Sequence, residues 1–289
     1  MTVQNVAVIG SGLMGRGIAQ VAALGGFRTT MVDVSESILQ TALHNIRSEM
    51  EKGVSLGKLA AEQKEQALAR LTVETNLEKA ARDVDLVIEA VPEDMKLKIE
   101  TFVRLDNSAP AGALLASNTS SLSITEMAAV TNRPRLFLGM HFFNPVHKMK
   151  LLEIVRGLET APETVKIAEE VGRQMGKETV VIKESPGFIT SRINAMIGNE
   201  AFYMLQEEIA TAADIDKAVK LGLNHPMGPF EMADLVGLDT RLHVLEYLHQ
   251  TLGEKFRPAP LMVQYVKAGR LGRKVGRGVY EYPSPEKKA

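Results

Sequence analysis

Two apolar stretches of the sequence carry residues that could move a proton. His141 comes at the end of the apolar segment 136–142, and Glu153 interrupts the next one, 150–155. An imidazole suits general acid–base work because it titrates near neutral pH, and a carboxylate in an apolar strand is costly unless it is paired. If the two segments are neighbouring strands, Glu153 can accept a hydrogen bond from His141 and fix its tautomer. The alternatives are a histidine of the core and a glutamate that points to solvent.

A glycine-rich turn near the N-terminus has the spacing of a dinucleotide-binding loop. The apolar segment Val3–Ile9 is followed by the run Gly10-Ser11-Gly12-Leu13-Met14-Gly15. In such a loop the first glycine permits the tight turn, the second lets the backbone approach the pyrophosphate, and the third lets the following helix pack closely. The helix N-terminus then offers N–H groups to the phosphates. A turn that binds nothing is the alternative.

Asp33 favours NAD over NADP. It follows the second predicted strand, 27–32, and stands 18 residues after Gly15, close to the spacing of ~20 at which an acidic residue binds the ribose 2′-hydroxyl. A 2′-phosphate would be repelled by this carboxylate, and the next three residues, Val34-Ser35-Glu36, include no Lys or Arg. FAD uses the same fingerprint and stays an alternative.

A run of hydroxyl and amide side chains ends another predicted strand, 113–117: Ser117-Asn118-Thr119-Ser120-Ser121. Ligands of parallel sheets bind beyond the carboxyl ends of the strands. We therefore expect this run to hold a carbonyl group and a nicotinamide. A simple turn with a helix cap is the alternative.

The elements that must position these residues alternate between strand and helix over the first part of the chain. Helical spacing occurs at 36–52, 60–71, 95–107 and 162–175. This alternation predicts an α/β domain over residues 1–185, with a Rossmann-like, doubly wound and mostly parallel sheet. After Ser185-Pro186-Gly187 the pattern is helical only, at 188–207, 211–221, 229–236, 238–252 and 259–268. We expect an all-α C-terminal domain over residues 186–289.

Composition argues against several other classes of protein. The 34 basic and 35 acidic residues give a net charge of −1, so nucleic acid is not an expected partner. No apolar run reaches the ~18 residues of a membrane span, and the first ten residues have no signal-peptide pattern. There is no cysteine, and the six histidines form no close ligand pairs, so neither a disulfide nor a metal is expected. We expect a cytoplasmic protein.

Three further motifs follow in order along the chain: His141-Phe142-Phe143-Asn144-Pro145, Pro186-Gly187-Phe188 and His225-Pro226-Met227-Gly228-Pro229-Phe230-Glu231. Together with the runs at 10–15 and 117–121 they resemble the L-3-hydroxyacyl-CoA dehydrogenase family, and within it the bacterial monofunctional 3-hydroxybutyryl-CoA dehydrogenases. The resemblance extends from about Val3 to Tyr282.

The resemblance implies NAD-dependent interconversion of (S)-3-hydroxyacyl-CoA and 3-ketoacyl-CoA, by a homodimer joined through the helical domain. It makes His141 the general base, Glu153 its partner, and Ser120 a ligand of the substrate oxygen beside the nicotinamide. Further positions match cofactor contacts of the family: Glu93, Lys98, Asn144 and Lys274. Ser48 and Lys52 are candidates for binding CoA.

One position departs from the family pattern. The family often has Asn four residues after Gly187, where this chain has Ser191, and Asn194 lies one helical turn further on. A hydroxyl can still donate and accept hydrogen bonds. We therefore expect Ser191 to be the fourth catalytic polar residue, with Asn194 as the alternative contact to the substrate.

Two other functions stay open at this point. Some relatives of the family serve as structural lens proteins, so a non-catalytic NAD-binding protein is one alternative, although His141, Glu153 and Ser120 argue against it. A dehydrogenase of another 3-hydroxyacid is the second. Those enzymes typically use a lysine base in the helical domain, and the motif around His141 favours the CoA enzyme.

Overall fold

The computed structural model describes residues 2–283, and the chain divides into two compact units, Met1–Ser185 and Pro186–Ala289. The first unit is built on one sheet of eight strands within the described residues. The strands are β1 (Asn5–Ile9), β2 (Arg28–Val32), β3 (Leu71–Glu74), β4 (Leu86–Glu89), β5 (Leu114–Ser117), β6 (Phe137–Phe142), β7 (Leu151–Arg156) and β8 (Glu178–Lys183).

The sheet has the order β3-β2-β1-β4-β5-β6-β7-β8. Every neighbouring pair is parallel except β6 and β7, which are antiparallel. The predicted doubly wound, mostly parallel sheet is therefore confirmed. Because β1 lies between β2 and β4, the strand order reverses at β1, and the carboxyl ends of β1 and β4 form the crevice in which such sheets bind ligands.

Seven α-helices accompany the strands in this part of the described chain: α1 (Leu13–Leu24), α2 (Glu36–Ser55), α3 (Ala61–Ala69), α4 (Leu77–Ala81), α5 (Met95–Ser108), α6 (Ile124–Ala129) and α7 (Pro162–Gln174). The apolar stripes of α1, α2 and α7 pack on the strands in one buried cluster that includes Ile18, Val21 and Leu39. Side-chain oxygens cap the N-termini of α4, α5 and α6. Asp94 accepts from Leu97 N at 2.8 Å at the start of α5, which satisfies an N–H group that has no partner within the helix.

The predicted helix at 60–71 is wrong at its C-terminal end. It stops at Ala69, and Leu71 begins the edge strand β3, in which it pairs with Thr29 of β2. The short helix α4 follows, capped by Asn76 through Lys79 N at 2.7 Å. An edge strand of four partly exposed residues has no continuous apolar run, so its pattern merges with that of the preceding helix.

The second unit is helical, as the sequence predicts. Its α-helices within the described residues are α8 (Thr190–Gln206), α9 (Ala212–Gly222), α10 (Pro229–Val236), α11 (Leu238–Leu252) and α12 (Pro260–Lys267). They enclose their own core, in which the ring of Phe202 meets that of Phe230 edge-on at 5.2 Å. Two isolated bridges join Arg277 to Gly272 and Glu281. Among residues 2–283, no helix is long and apolar enough to cross a membrane.

Candidate active site

The glycine-rich loop joins β1 to α1, and at two of its glycines the backbone passes so close to other backbone atoms that a side chain would not fit. Gly10 has φ of +96°, and a Cβ on it would lie 2.6 Å from the carbonyl oxygen of Ala90. A Cβ on Gly15 would lie 1.8 Å from the carbonyl oxygen of Gly10. The start of α1 is therefore held directly against the turn, as a dinucleotide-binding loop requires.

The N-terminus of α1 is prepared for an anion. Gly12 caps the helix without a side-chain hydrogen bond, and the first turn contains no acidic residue. A Cβ built on Gly12 meets no atom within 4 Å, so the space beside this glycine is open to a phosphate. These residues fit a dinucleotide, because the helix end offers N–H groups and a partial positive charge.

Asp33, just after β2, takes part in the same loop. Its Oδ2 accepts from the backbone N and the Oγ of Ser11, at 2.8 and 2.7 Å, and its Oδ1 accepts from Val34 N at 2.8 Å. These partners are neutral, and no cation lies within ion-pair distance of Asp33 among residues 2–283. A carboxylate oxygen can accept more than one hydrogen bond, so this geometry leaves capacity for a ribose hydroxyl.

His141 and Glu153 form a buried cross-strand pair. They stand directly opposite each other in the antiparallel ladder of β6 and β7. The Nδ1 of His141 lies 2.7 Å from Glu153 Oε2, and the side chains are 8% and 1% exposed. The hydrogen bond at Nδ1 fixes the orientation of the imidazole ring. The ring of Phe143 contacts the imidazole with its centroid 4.4 Å away.

A second buried carboxylate, missed in the sequence analysis, lies at the carboxyl end of β4. Glu89 is fully buried and accepts from Lys98 Nζ and Ser117 Oγ, each at 2.6 Å, and from Val91 N at 2.7 Å. Burial raises the pKa of Glu89 above its usual value, against the lowering effect of Lys98. The signal that could have found it is the one that singled out Glu153, a glutamate inside an apolar strand.

Lys98 and Glu93 lie side by side but differ in exposure. The Lys98 side chain is 1% exposed, and its Nζ contacts Glu89, Glu93 Oε2 at 3.3 Å and Val91 O at 3.4 Å. Three protein oxygens thus surround an ammonium group that has three donors. The Glu93 side chain is 35% exposed. Of these two candidate cofactor contacts, Glu93 is the accessible one.

Glu93 also holds the polar run after β5. Its Oε1 accepts from Thr119 Oγ1 at 2.5 Å and from Ser120 at 3.0 Å through N and 3.3 Å through Oγ. Asn118 Oδ1 accepts from Phe142 N at 2.9 Å, so the ends of β5 and β6 are tied together. Ser120 and His141 are therefore brought to the carboxyl ends of adjacent strands. Asn144 is exposed just beyond β6 and precedes a cis proline.

The other sequence candidates lie elsewhere within their units. Ser48 and Lys52 are exposed one turn apart on α2, and such residues share one helix face. In the second unit, Lys274 Nζ contacts both carboxylate oxygens of Asp239, at 2.7 and 2.6 Å.

Ser191 and Asn194 lie in the first turns of α8 and are partly buried. The amide oxygen of Asn194 accepts from Nη2 and Nη1 of Arg241, at 2.9 and 3.2 Å. Arg241 is 9% exposed, and burial lowers its pKa to about 10. Asn194 thus has a structural partner on α11.

Comparison with known proteins identifies the class to which this fold and site belong. Residues 5–185 match the family model described as the NAD binding domain of 3-hydroxyacyl-CoA dehydrogenase. Residues 187–282 match the C-terminal domain of the same family. The chain belongs to the 3-hydroxyacyl-CoA dehydrogenase family, and its NAD-binding domain is the first unit.

Individual relatives match over nearly the whole chain. A probable 3-hydroxybutyryl-CoA dehydrogenase of Bacillus subtilis is 45% identical, covering 98% of each chain. The mitochondrial hydroxyacyl-coenzyme A dehydrogenase of Sus scrofa is 40% identical, over 97% of this chain and 91% of the relative. Among solved structures, (S)-3-hydroxybutyryl-CoA dehydrogenase from Ralstonia eutropha superimposes with a TM-score of 0.95 at 43% identity, over 98% of this chain and 100% of that one.

Proposed function

We propose that this chain catalyses the NAD-dependent interconversion of (S)-3-hydroxyacyl-CoA and 3-ketoacyl-CoA, with a short acyl chain such as 3-hydroxybutyryl. The observation that carries the proposal is the buried His141–Glu153 pair, which lies in the same sheet as the glycine-rich loop. The printed names of the relatives supply the class of substrate.

His141 is the general base in this proposal. Its Nε2 accepts the proton of the 3-hydroxyl group while a hydride leaves C3 of the substrate. NAD supplies the hydride acceptor when it is bound. The imidazole becomes positively charged during proton transfer, and Glu153 stabilises that charge through the 2.7 Å contact at Nδ1. In the reverse direction His141 returns the proton to the oxygen of the ketone.

The remaining candidate residues can be grouped by the part of the ligand that each would bind. Gly10 to Gly15 and the α1 N-terminus would bind the pyrophosphate, and Asp33 the adenosine ribose. Glu93, Ser120 and Asn144 would hold the nicotinamide half and the reacting oxygen. Lys98 would act through Glu93, because its own donors already face protein oxygens.

Ser48 and Lys52 are proposed contacts for CoA, and Lys274 stays a proposed cofactor contact.

Ser191 is the proposed fourth polar residue. Asn194 already binds Arg241, whereas Ser191 stands one turn earlier on the same face of α8. Ser191→Ala should lower kcat/KM for acetoacetyl-CoA and leave NADH affinity unchanged, and Ser191→Asn should retain activity. If Asn194→Ala abolishes turnover in a folded protein while Ser191→Ala has no effect, the assignment is one turn too early.

The test of the function is direct turnover. Purified protein is mixed with NADH and acetoacetyl-CoA, and the absorbance of NADH is followed, with free acetoacetate as the matched control. We expect rapid NADH oxidation with the CoA ester only. Turnover of the free acid alone would favour another 3-hydroxyacid dehydrogenase. NADH binding without any turnover would favour the non-catalytic relative. Longer and dicarboxylic 3-ketoacyl-CoAs then define the chain-length preference.

A homodimer in the cytoplasm completes the proposal. The second unit has an apolar groove that includes Met196, Tyr203, Met204 and Leu223, and the Met196 and Leu223 side chains are 43% and 65% exposed. Contiguous exposed apolar surface of this kind marks protein–protein contacts. Sedimentation should give the mass of a dimer, and Met196→Glu should shift it towards the monomer.

A further inference from the structure

A buried lysine lies beneath the segment that joins β6 to β7. Lys177 precedes β8 and is 6% exposed. Its Nζ donates to the carbonyl oxygen of Val146 and, at 2.8 Å, to that of Met149. No carboxylate lies within ion-pair distance of it among residues 2–283, and burial lowers the pKa of its ammonium group. A buried cation held only by carbonyl groups is costly to the fold, so we expect Lys177 to make a favourable contribution elsewhere.

The segment that Lys177 binds, residues 145–149, is fixed in two further ways: by a turn within the segment and by packing against α1. Pro145 O accepts from the N atoms of Lys148 and Met149, at 2.9 and 3.0 Å, which closes a tight turn. Val146 is 2% exposed and packs against α1, where a Cβ on Gly17 would lie 2.9 Å from the Val146 side chain.

The same segment begins shortly after β6, the strand that carries His141. It follows directly on Asn144, and on Phe143, whose ring contacts that of His141. Through Val146 it also rests on α1, the helix whose N-terminus is proposed to bind the pyrophosphate. Segment 145–149 therefore links the end of β6 to α1.

On the basis of the proposed function, we propose that Lys177 is a positioning residue for the dehydrogenase. Its two charge-assisted hydrogen bonds hold segment 145–149 against α1, so that the groups at the end of β6 meet the cofactor in one geometry. Displacements of about 1 Å can cost on the order of 100-fold in rate when reacting groups are misaligned. The gain from this buried cation is thus in catalysis rather than in stability.

The test replaces Lys177 by a side chain of similar length without donors. Lys177→Met should lower kcat by roughly 10- to 100-fold and raise the KM for NADH several-fold, with both values normalised to folded protein. Lys166→Met, which removes an exposed lysine from α7, is the matched control and should behave as wild type.

The chain contains no cysteine, which permits a rescue at this one site. Lys177→Cys can be alkylated with 2-bromoethylamine in denaturant and refolded, which installs a thioether analogue of lysine. Wild type taken through the same treatment sets the reference. We expect the aminoethylated protein to regain kcat well above the untreated cysteine variant.

The outcomes separate failure of this proposal from failure of the proposed function. A Lys177→Met protein with wild-type kcat and KM per folded molecule, but a lower melting temperature, would overturn the proposal in favour of a purely structural lysine. An aminoethylated protein that folds but stays as slow as the cysteine variant would also overturn it. A wild-type enzyme that does not turn over acetoacetyl-CoA would instead contradict the proposed function.

Discussion

Two glutamates lie inside apolar strands of the same sheet, and they differ in the partner that each one meets. Glu153 faces the imidazole of His141 across β6 and β7, whereas Glu89 at the end of β4 faces the ammonium of Lys98. The distance from the carboxylate oxygen to the nitrogen of its partner is 2.7 Å for Glu153 and 2.6 Å for Glu89. The two residues are also almost equally buried, at 1% and 0% exposure. Any difference in role must therefore come from the partner.

An imidazole exchanges its proton near neutral pH, and an ammonium ordinarily keeps it. The pair on β6 and β7 is therefore suited to proton transfer. The pair at β4 is suited to hold structure, because Glu89 binds the end of β5 through Ser117 as well as α5 through Lys98. Under the proposed function, one kind of sequence signal, a glutamate among apolar residues, thus marks two different roles.

The largest expected effect is on catalysis at the first pair. His141→Ala should lower kcat by ~10²- to 10⁴-fold, the usual cost of losing a general base, as measured by NADH oxidation at saturating acetoacetyl-CoA. Glu153→Gln should reduce kcat by a smaller factor, because it weakens the stabilisation of the charged imidazole.

The double variant His141→Ala with Glu153→Gln shows whether the two act together. Once the base is gone, the second change should add little, since residues that work as a unit are strongly non-additive. If the two losses simply multiply, the residues are not coupled and the contrast with Glu89 fails.

The second pair should respond in stability. Glu89→Gln leaves the buried ammonium of Lys98 without its closest carboxylate, and breaking a buried pair typically costs about 3–5 kcal/mol. Urea unfolding measures this loss. Glu89→Met combined with Lys98→Met should be more stable than Glu89→Gln, because the buried ammonium is removed together with its closest carboxylate, and Glu93, its other carboxylate partner, is 35% exposed to water. A Glu89→Gln protein with wild-type stability but a large fall in kcat would reverse the assignment of roles.

The sequence predicted much of the first pair and missed the second, for a physical reason. His141 and Glu153 stand in consecutive strands, so pairing those strands is enough to bring them together. The partner of Glu89 is Lys98, which lies on α5 and not on a neighbouring strand. No local sequence pattern shows that a lysine in an amphipathic helix is buried. Strand β3 was missed likewise, because its place at the sheet edge depends on pairing with β2, which lies far away in the sequence.

Asp33 is a third carboxylate, with neutral partners, and its removal should affect cofactor binding alone. Asp33→Ala should weaken NADH binding by roughly 1–3 kcal/mol, the scale of a hydrogen bond to a charged group, as measured by NADH fluorescence. The preference over NADPH should shrink because the repulsive charge is gone. An unchanged ratio of the two affinities would show that Asp33 does not meet the ribose.

The smallest effect is expected at a buried pair distant from the carboxyl edge of the sheet. Asp106 lies near the end of α5, which starts beyond the carboxyl end of β4 and returns to the opposite edge. Its Oδ1 accepts from Arg133 Nε at 2.6 Å, and its Oδ2 accepts from the backbone N and Nδ2 of Asn132, each at 2.8 Å. Burial alone would raise the pKa of Asp106, but Asn132 and Arg133 hold it below its usual value.

A carboxylate whose pKa is lowered by folding stabilises the protein above its unfolded pKa, and that contribution is lost as the pH falls through the lowered value. Asp106→Asn should therefore reduce the free energy of unfolding at pH 7 by about 1 kcal/mol, since the amide oxygen can still accept one hydrogen bond. Urea unfolding from pH 7 down to about 3.5 should show this difference shrinking, while kcat at neutral pH stays at the wild-type value. A difference that is constant with pH would mean that the charge of Asp106 is not its cause. A fall in kcat would mean that buried pairs at both edges of the sheet support the active site. In that case the partner of a buried carboxylate would not tell a catalytic residue from a structural one.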